Sequence, residues 1–368
     1  MPDPGPDLVS SAVVSSAGPF PAGLSSVGII VNPNAGKDIR RLTSASGQTS
    51  DAVKIGIMRR AAAGAIEMGA ERIVFSSDTH HLAERAVEGL DGVIEFLDNP
   101  LSGSHLDTVA AARTMCKEQV GAVIALGGDG TCRDVATGWP DVPLIAISTG
   151  TNNVFPTAVD GTTAGVAAAL VATGAVPVEA VSRRAKRVAL RIDSPAAASV
   201  VHEHALVEAA LIDTAFVGAR AVNDPATIRW VVACIANPAS TGLASIAGRV
   251  HPVDRNEPGG VLIRLGSGGR QVRVPLAPGT FTTLDVETVE PLDPSTSIDL
   301  PGGGILAFDG ERTTPVAADS TITVSIETSG PRLLDVDITL SMAAEDRRFD
   351  VAHVLDNGTP RRKDIHGD

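Results

Sequence analysis

Residues 122–131 read AVIALGGDGT, five apolar residues running into three glycines within four positions. A short β-branched and apolar run closed by glycine reads as a buried strand. Cys132-Arg133-Asp134-Val135 then opens a helix. Glycines at a strand's carboxyl end allow positive φ and close approach of backbone to a ligand. Amides there, with the head of the following helix, can cradle phosphate oxygens. Asp129 is out of place in such a loop unless it holds Mg²⁺ or accepts a proton, and both roles occur in phosphoryl transfer. The plain alternative, for so short a motif, is a tight turn with an aspartate at the helix cap.

Outward from this stretch, strand and helix alternate. Residues 27–31 (VGIIV) form a strand closed by Asn32-Pro33, and 51–68 form a helix, rich in alanine and long side chains, that Gly69 stops. Residues 72–75 read as strand, 79–88 as helix and 93–97 as strand. Residues 104–120 are a helix with Ser104 at the N-cap and Asp107 at N3, a capping-box variant. Strands at 122–126 and 144–147 complete a doubly wound, Rossmann-like α/β domain over 27–150, whose ligands belong beyond the carboxyl ends of the strands.

From Lys186 the pattern changes to short alternating runs, RVALRID, VLIRLGS, RQVRVPL, FTTLDVETV and TITVSIET, separated by Gly, Pro, Asn or Asp. That pattern predicts an all-β antiparallel sandwich, interrupted by helical patches at 164–172 and 224–235. The expected organisation is a disordered leader over 1–26, a nucleotide-binding domain over 27–150, a β-rich acceptor domain over 151–331 and a C-terminal segment over 332–368.

Two further polar loops follow strands of the same sheet: Asn32-Pro-Asn-Ala-Gly36-Lys37 after the first, and Ser148-Thr149-Gly150-Thr151-Asn152-Asn153 after the fifth. Neither GxxxxGK[ST] nor GxGxxG is present. The complete GGDGT at 127–131, the NPxxGK-like loop at 32–37, the GTxN loop at 150–153 and Asp309-Gly310-Glu311 resemble the superfamily joining NAD kinases, diacylglycerol kinases and sphingosine kinases. The extended run GGDGTCRDVATGWPDVPLIAISTGTNNVF is most similar to the ATP-NAD kinase-like AcoX family, named for acetoin catabolism. The resemblance spans about residues 27–312.

It implies the two-domain fold with the active site between the domains, and an ATP:alcohol phosphotransferase using Mg²⁺, with NAD(H) as acceptor. By position, Gly127, Gly128, Gly130 and Thr131 would hold nucleotide phosphates, with Asn32, Gly36, Lys37, Thr149, Gly150 and Thr151 on the ATP side. Asp129 would be the catalytic carboxylate, base or Mg²⁺ anchor. Asp309 and Glu311 would bring acidic groups from the second domain, and either is an alternative metal ligand. Asp107, Thr108, Asn152, Asn153 and Glu208 are the acceptor-side candidates. One departure is Ala205-Leu206-Val207-Glu208, where NAD kinases carry Ala-Leu-Asn-Glu; Val207 cannot make the amide's hydrogen bond. Val154 likewise stands where the lipid kinases' GTxND has aspartate.

Composition narrows the classes. The 368 residues carry 30 Lys+Arg against 43 Asp+Glu, a net charge of −13, which argues against nucleic acid or an anionic membrane as partner. Eight Phe, two Trp and no Tyr disfavour base-stacking platforms. Three cysteines without CxxC spacing fit a reducing compartment. Apolar runs such as 120–126 fall far short of the ~20 residues that cross a bilayer, and Asp3 and Asp7 sit where a signal peptide needs positive charge. The expectation is a cytoplasmic, homo-oligomeric protein (dimer or tetramer) whose partners are small nucleotides.

Other residues carry weaker signals. His202-Glu203-His204 suggests a metal pair or, more simply, a surface strand. Cys132 reads as a reactive thiol or a small packed side chain, Arg133 and Asp134 as a pair with each other or with ligand or, more plainly, as helix-surface charges, and His80-His81 as solvated. Residues 242–248 (GLASIAG) are a small-residue loop against nucleotide or a subunit. A kinase of another small alcohol or of a lipid, and a catalytically silent nucleotide-binding regulator, are the alternatives; retention of Asp129, Thr131, Asp309 and Glu311 together weighs against the last.

Overall fold

The computed structural model describes residues 25–35, 49–149, 153–213, 225–294, 296–310 and 312–350. The leader expected over 1–26 lies outside the described residues as far as residue 24.

The first unit alternates β1 (Ser26–Val31), α1 (Asp51–Glu67), β2 (Arg72–Phe75), α2 (Leu82–Val87), β3 (Ile94–Phe96), α3 (His105–Lys117), β4 (Ala122–Gly127), α4 (Asp129–Gly138) and β5 (Pro143–Ser148). These strands are parallel, in the order β3-β2-β1-β4-β5. Both faces of the sheet are covered, so its strands are apolar throughout rather than alternating with polar residues. In β4, Val123 and Ala125 face α3 and α4, while Ala122, Ile124 and Leu126 join the opposite cluster with α1 and α5 (Gly161–Ala172).

Among the described residues, helices α1 and α5 share the most extensive helix–helix contact. Gly64, Gly161 and Gly165 lie where the two backbones touch: a Cβ on Gly161 would sit 2.5 Å from the Ile57 carbonyl oxygen, and one on Gly165 would overlap that of Ala61. The short α6 (Val178–Val181) and β6 (Ser182–Arg184) then lead out of the sheet's edge.

The second unit holds β7 (Arg187–Ser194), β8 (Ser199–Ala205), β9 (Glu208–Ile212), β10 (Ile228–Ala233), α7 (Ala244–Val250), β11 (Gly260–Ala277), β12 (Thr280–Leu292), β13 (Ser297–Pro301), β14 (Gly304–Phe308), β15 (Arg312–Val316) and β16 (Thr321–Glu327). They form two antiparallel sheets, β12-β11-β10-β9-β14-β15 and β13-β16-β7-β8. Residues from both, including Val188, Leu190, Leu211, Val232, Leu306 and Ile322, share one core cluster with Val123, Ala125, Cys132 and Val135 of the first unit. The chain returns at β17 (Arg332–Leu334), which pairs parallel to β5 and antiparallel to β6, and α8 (Val336–Glu345) contacts α5.

Three local expectations fail. Residues 228–233 are not helical: IRWVVA is β10, an inner strand between β9 and β11, since β-branched and aromatic side chains suit a pleated, fully flanked strand. VLIRLGS and RQVRVPL are one strand, β11, with an irregularity at Leu265–Arg270 where Gly268 has φ +87°. Residues 244–250 form α7, which packs on β10 and β11.

Candidate active site

The sheet reverses its winding between β1 and β4: β2 and β3 lie beyond β1, and β5 beyond β4. Loops leaving the carboxyl ends of these two central strands diverge, and the crevice of an open α/β sheet forms there. Asn32, the first residue after β1, donates from Nδ2 to Thr131 Oγ1 at 2.9 Å, and its backbone N–H reaches the Leu126 carbonyl at 3.0 Å. Lys54, fully buried in α1, holds the same loop, donating from Nζ to the carbonyl oxygens of Asn32 (3.1 Å) and Pro33 (2.8 Å). Nothing in the sequence marked Lys54, which lies on a helix otherwise read for its apolar face.

β4 passes into α4 through Gly128 alone, with φ −105° and ψ −170°. The sequence expectation of positive φ at these glycines is not met. Space requires the glycine at 127, where a Cβ would run into the Thr131 side chain; one on Gly128 would lie 2.9 Å from Oδ1 at the movable end of Asn153. The first amides of α4, at Asp129, Gly130 and Thr131, have no intrahelical acceptor and point out of the turn.

Asp129 is buried, and its carboxylate faces the third loop. Oδ1 accepts the backbone N–H groups of Val154 (3.0 Å) and Phe155 (2.8 Å), and Oδ2 that of Val154 (3.1 Å). The Thr149 N–H donates to the Gly127 carbonyl at 3.0 Å, and Asn153 Nδ2 to Ser148 Oγ at 2.6 Å. The structure therefore brings Asn32, Gly127, Gly128, Asp129, Gly130, Thr131, Thr149 and Asn153 to one edge of one sheet. Gly36, Lys37, Gly150, Thr151, Asn152 and Glu311 lie outside the described residues.

The second unit supplies the facing wall. Asp309, at the end of β14, has φ +47°, a left-handed conformation that Asp tolerates better than most side chains. Its carboxylate accepts the N–H groups of Leu206 (3.0 and 3.1 Å), Val207 (2.9 Å) and Glu208 (3.4 Å). Burial pushes the Asp309 carboxyl up, opposed by Arg133 and by these three amides. The Val207 side chain is fully buried in the core, and Glu208 is buried at the start of β9.

Arg133 connects the two walls. The reading of it as a surface charge is overturned: the residue is 1 % exposed. From α4 its Nε donates to the His204 carbonyl at 2.5 Å, and its terminal nitrogen to Glu203 at 2.7 Å. The guanidinium carbon sits 5.0 Å from the Phe308 ring centroid, a cation–π geometry. Burial lowers its pKa, with Asp309 opposing. A signal existed: Asp129, Cys132, Arg133 and Ala136 follow i, i+3, i+4, i+7, one face of a helix. Alongside it, Arg312 reaches Asp134 (3.5 Å) and His105 Nε2 (2.5 Å), joining α4 and the head of α3.

The acceptor-side candidates divide. Asp107 closes its own loop, accepting from Ser102 N (2.8 Å), Ser102 Oγ (2.7 Å) and Gly103 N (2.8 Å) rather than from the Ser104 amide as a capping box would, and Thr108 follows it on α3. Glu203 serves Arg133, and His204 is mostly buried, its pKa lowered to about 4, first by burial and then by Arg133. Cys132 is a buried core side chain whose thiol burial pushes well up. Among the described residues no three His, Cys, Asp or Glu side chains cluster as a metal cage.

Comparison with known proteins agrees with this architecture. Residues 27–183 match the family model of the ATP-NAD kinase N-terminal domain, and residues 186–329 that of the acetoin catabolism protein X C-terminal domain. Acetoin catabolism protein X of Cupriavidus necator is 35% identical over 325 residues, covering 84% of this chain and 90% of that protein. Among solved structures, yeast NADH kinase complexed with NADH superposes with a TM-score of 0.52 at 15% identity, covering 92% of this chain and 90% of that one. At that identity the likeness is one of fold.

Proposed function

The chain belongs to the acetoin catabolism protein X family, with an ATP-NAD kinase N-terminal domain, and from that premise we propose that it is an ATP-dependent kinase phosphorylating a ribose hydroxyl of NAD(H). The observation that carries the reading is the meeting of three loops at the β1/β4 reversal point, with a carboxylate at the head of α4. The amides at the head of α4 suit phosphate oxygens, and Asn32, Thr131 and Thr149 lie around them. Gly36, Lys37, Gly150 and Thr151 complete the donor side of the proposal.

Phosphoryl transfer needs positioning and charge neutralisation more than covalent chemistry. In this reading Asp129, oriented by the Val154 and Phe155 amides, accepts the proton of the attacking ribose hydroxyl. Glu208, Asn152, Asn153, Asp107 and Thr108 are the residues this reading assigns to the acceptor. Among the described residues there is no protein-built Mg²⁺ cage: Asp309 is enclosed and faces three amides, and no carboxylate cluster is present. Mg²⁺ would therefore arrive on the nucleotide phosphates, as it commonly does at such sites. The buried Val207 presents no amide to an acceptor, so which ribose hydroxyl is offered, 2′ or 3′, is set by other groups.

The test is product analysis after incubation with Mg-ATP and either NAD⁺ or NADH, with Asp129→Asn alongside. A phosphorylated dinucleotide is expected, with turnover in the variant reduced by about two orders of magnitude or more; phosphorus NMR of the product distinguishes 2′ from 3′. ATP binding without either product would overturn the dinucleotide acceptor.

A further inference from the structure

The loop that orients Asp129 is held from its other side by the second unit. Arg255, 100 residues farther along the chain, donates from its two terminal nitrogens to the carbonyl oxygens of Val154 (2.7 Å) and Phe155 (3.3 Å). The same two residues give their N–H groups to Asp129. Both faces of this short strap are thus clamped, one by an anion on α4 and the other by a cation from the sandwich. The guanidinium fork addresses the two successive carbonyls with a separate nitrogen each.

Arg255 is itself braced. It lies in the turn at 254–259, and the buried Lys186, just before β7, donates from Nζ to the carbonyls at both ends of that turn, Asp254 (2.8 Å) and Gly259 (3.1 Å). The Ala236–Val253 bridge ties the turn's first limb to the segment after β10. The path therefore runs from Lys186 through the 254–259 turn and Arg255 to the strap, and so to Asp129 at the head of α4.

We infer that Arg255 is a positioning residue for Asp129: by holding the 154–155 carbonyls it fixes the two amides that aim the carboxylate, making the reactive geometry depend on the docking of the two units. This rests on the kinase reading only for its consequence on turnover.

The test uses full-length Arg255→Met and Arg255→Lys. Amide hydrogen exchange in a peptide spanning 153–158 should quicken by about tenfold or more in Arg255→Met, less in Arg255→Lys, with the β4 amides unchanged in both. With substrate, kcat should fall at least tenfold in Arg255→Met while KM for ATP stays within about twofold, and Arg255→Lys should recover part of kcat. Unchanged exchange at 153–158 in both variants overturns the inference, whatever the activity. If Arg255→Met does not fold, Arg255→Lys decides by the same exchange measurement. Faster exchange in a protein whose wild type transfers no phosphate would leave the strap standing and remove the kinase reading instead.

Discussion

Replacing Gly165 by alanine sets two effects of opposite sign against each other. Alanine is favoured over glycine in a helix interior by about 1 kcal/mol. Gly165, however, lies where α5 rests on α1, and a Cβ there would overlap the Ala61 carbonyl oxygen and crowd the Ala61 carbonyl carbon at 2.8 Å, against ordinary contacts of 3.4–4 Å. The obstacle is backbone, which no rotamer change relieves, and at Gly161 and Gly64 an added Cβ would likewise meet the facing helix's backbone, at 2.5 and 2.4 Å. Overpacking of this kind costs about 1–3 kcal/mol and sometimes more; an overlap with backbone this deep belongs at the upper end, so Gly165→Ala should lose about 2 kcal/mol net. Gly56, on the same α1, is the control: its added methyl would meet only the flexible end of Arg60, at 3.4 Å, and Gly56→Ala should gain about 0.5–1 kcal/mol. Urea denaturation followed by fluorescence reads both, with Trp139 after α4 and Trp230 in β10 reporting on the two units. The displaced α5 should also weaken ATP binding, because α1 carries Lys54 and α5 follows the strap. A Gly165→Ala protein as stable as wild type would refute the backbone-contact account of this helix pair.

Three further outcomes follow from the buried polar groups. Folding depresses the pKa of His204 from 6.5 to about 4, so its contribution is present above pH ~6.5 and is lost as pH falls through ~4, on the order of 3 kcal/mol in all; His204→Gln should flatten that limb of a stability-against-pH curve, and an unchanged limb would exclude His204 as its source. Asp309→Ala strands three backbone amides and removes the negative charge beside Arg133, a loss of about 3 kcal/mol or more by urea titration, with Asp309→Asn milder because asparagine also accepts the left-handed backbone. Of the three thiols, only Cys116 is exposed, so Ellman's reagent should modify one per native chain and three after denaturation; rapid labelling of Cys132 would contradict its packing.

Much of the architecture is legible in the residue pattern itself. Continuous apolar runs mark β1, β2, β4 and β5, buried on both faces of the sheet, the 3.6-residue periodicity marks α1, and two-residue alternation marks most of the sandwich strands. Residues 228–233 misled: a short, mostly apolar stretch broken by Arg229 does not by itself distinguish helix from strand, and pairing with β9 and β11 on both flanks decided it. Asp107 shows a similar limit, since its spacing fits a capping box while its carboxylate reaches back to Ser102 and Gly103.

The amino-acid order alone determined the α/β-then-β succession, the glycine loop after β4 and the family to which the motifs point, since these depend on short-range pattern and on residue types that few backbones accept. Tertiary structure alone decided what the charged groups do. Arg133 crosses from α4 to β8, Asp309 gathers the 206–208 amides, Lys54 grips the loop after β1, and Arg255 and Asp129 meet the strap from opposite sides. Each joins residues that lie between 21 and 103 positions apart in the chain, and a hydrogen bond reaches only about 3 Å. No local pattern in the sequence encodes a proximity that the folding of two units onto one core creates.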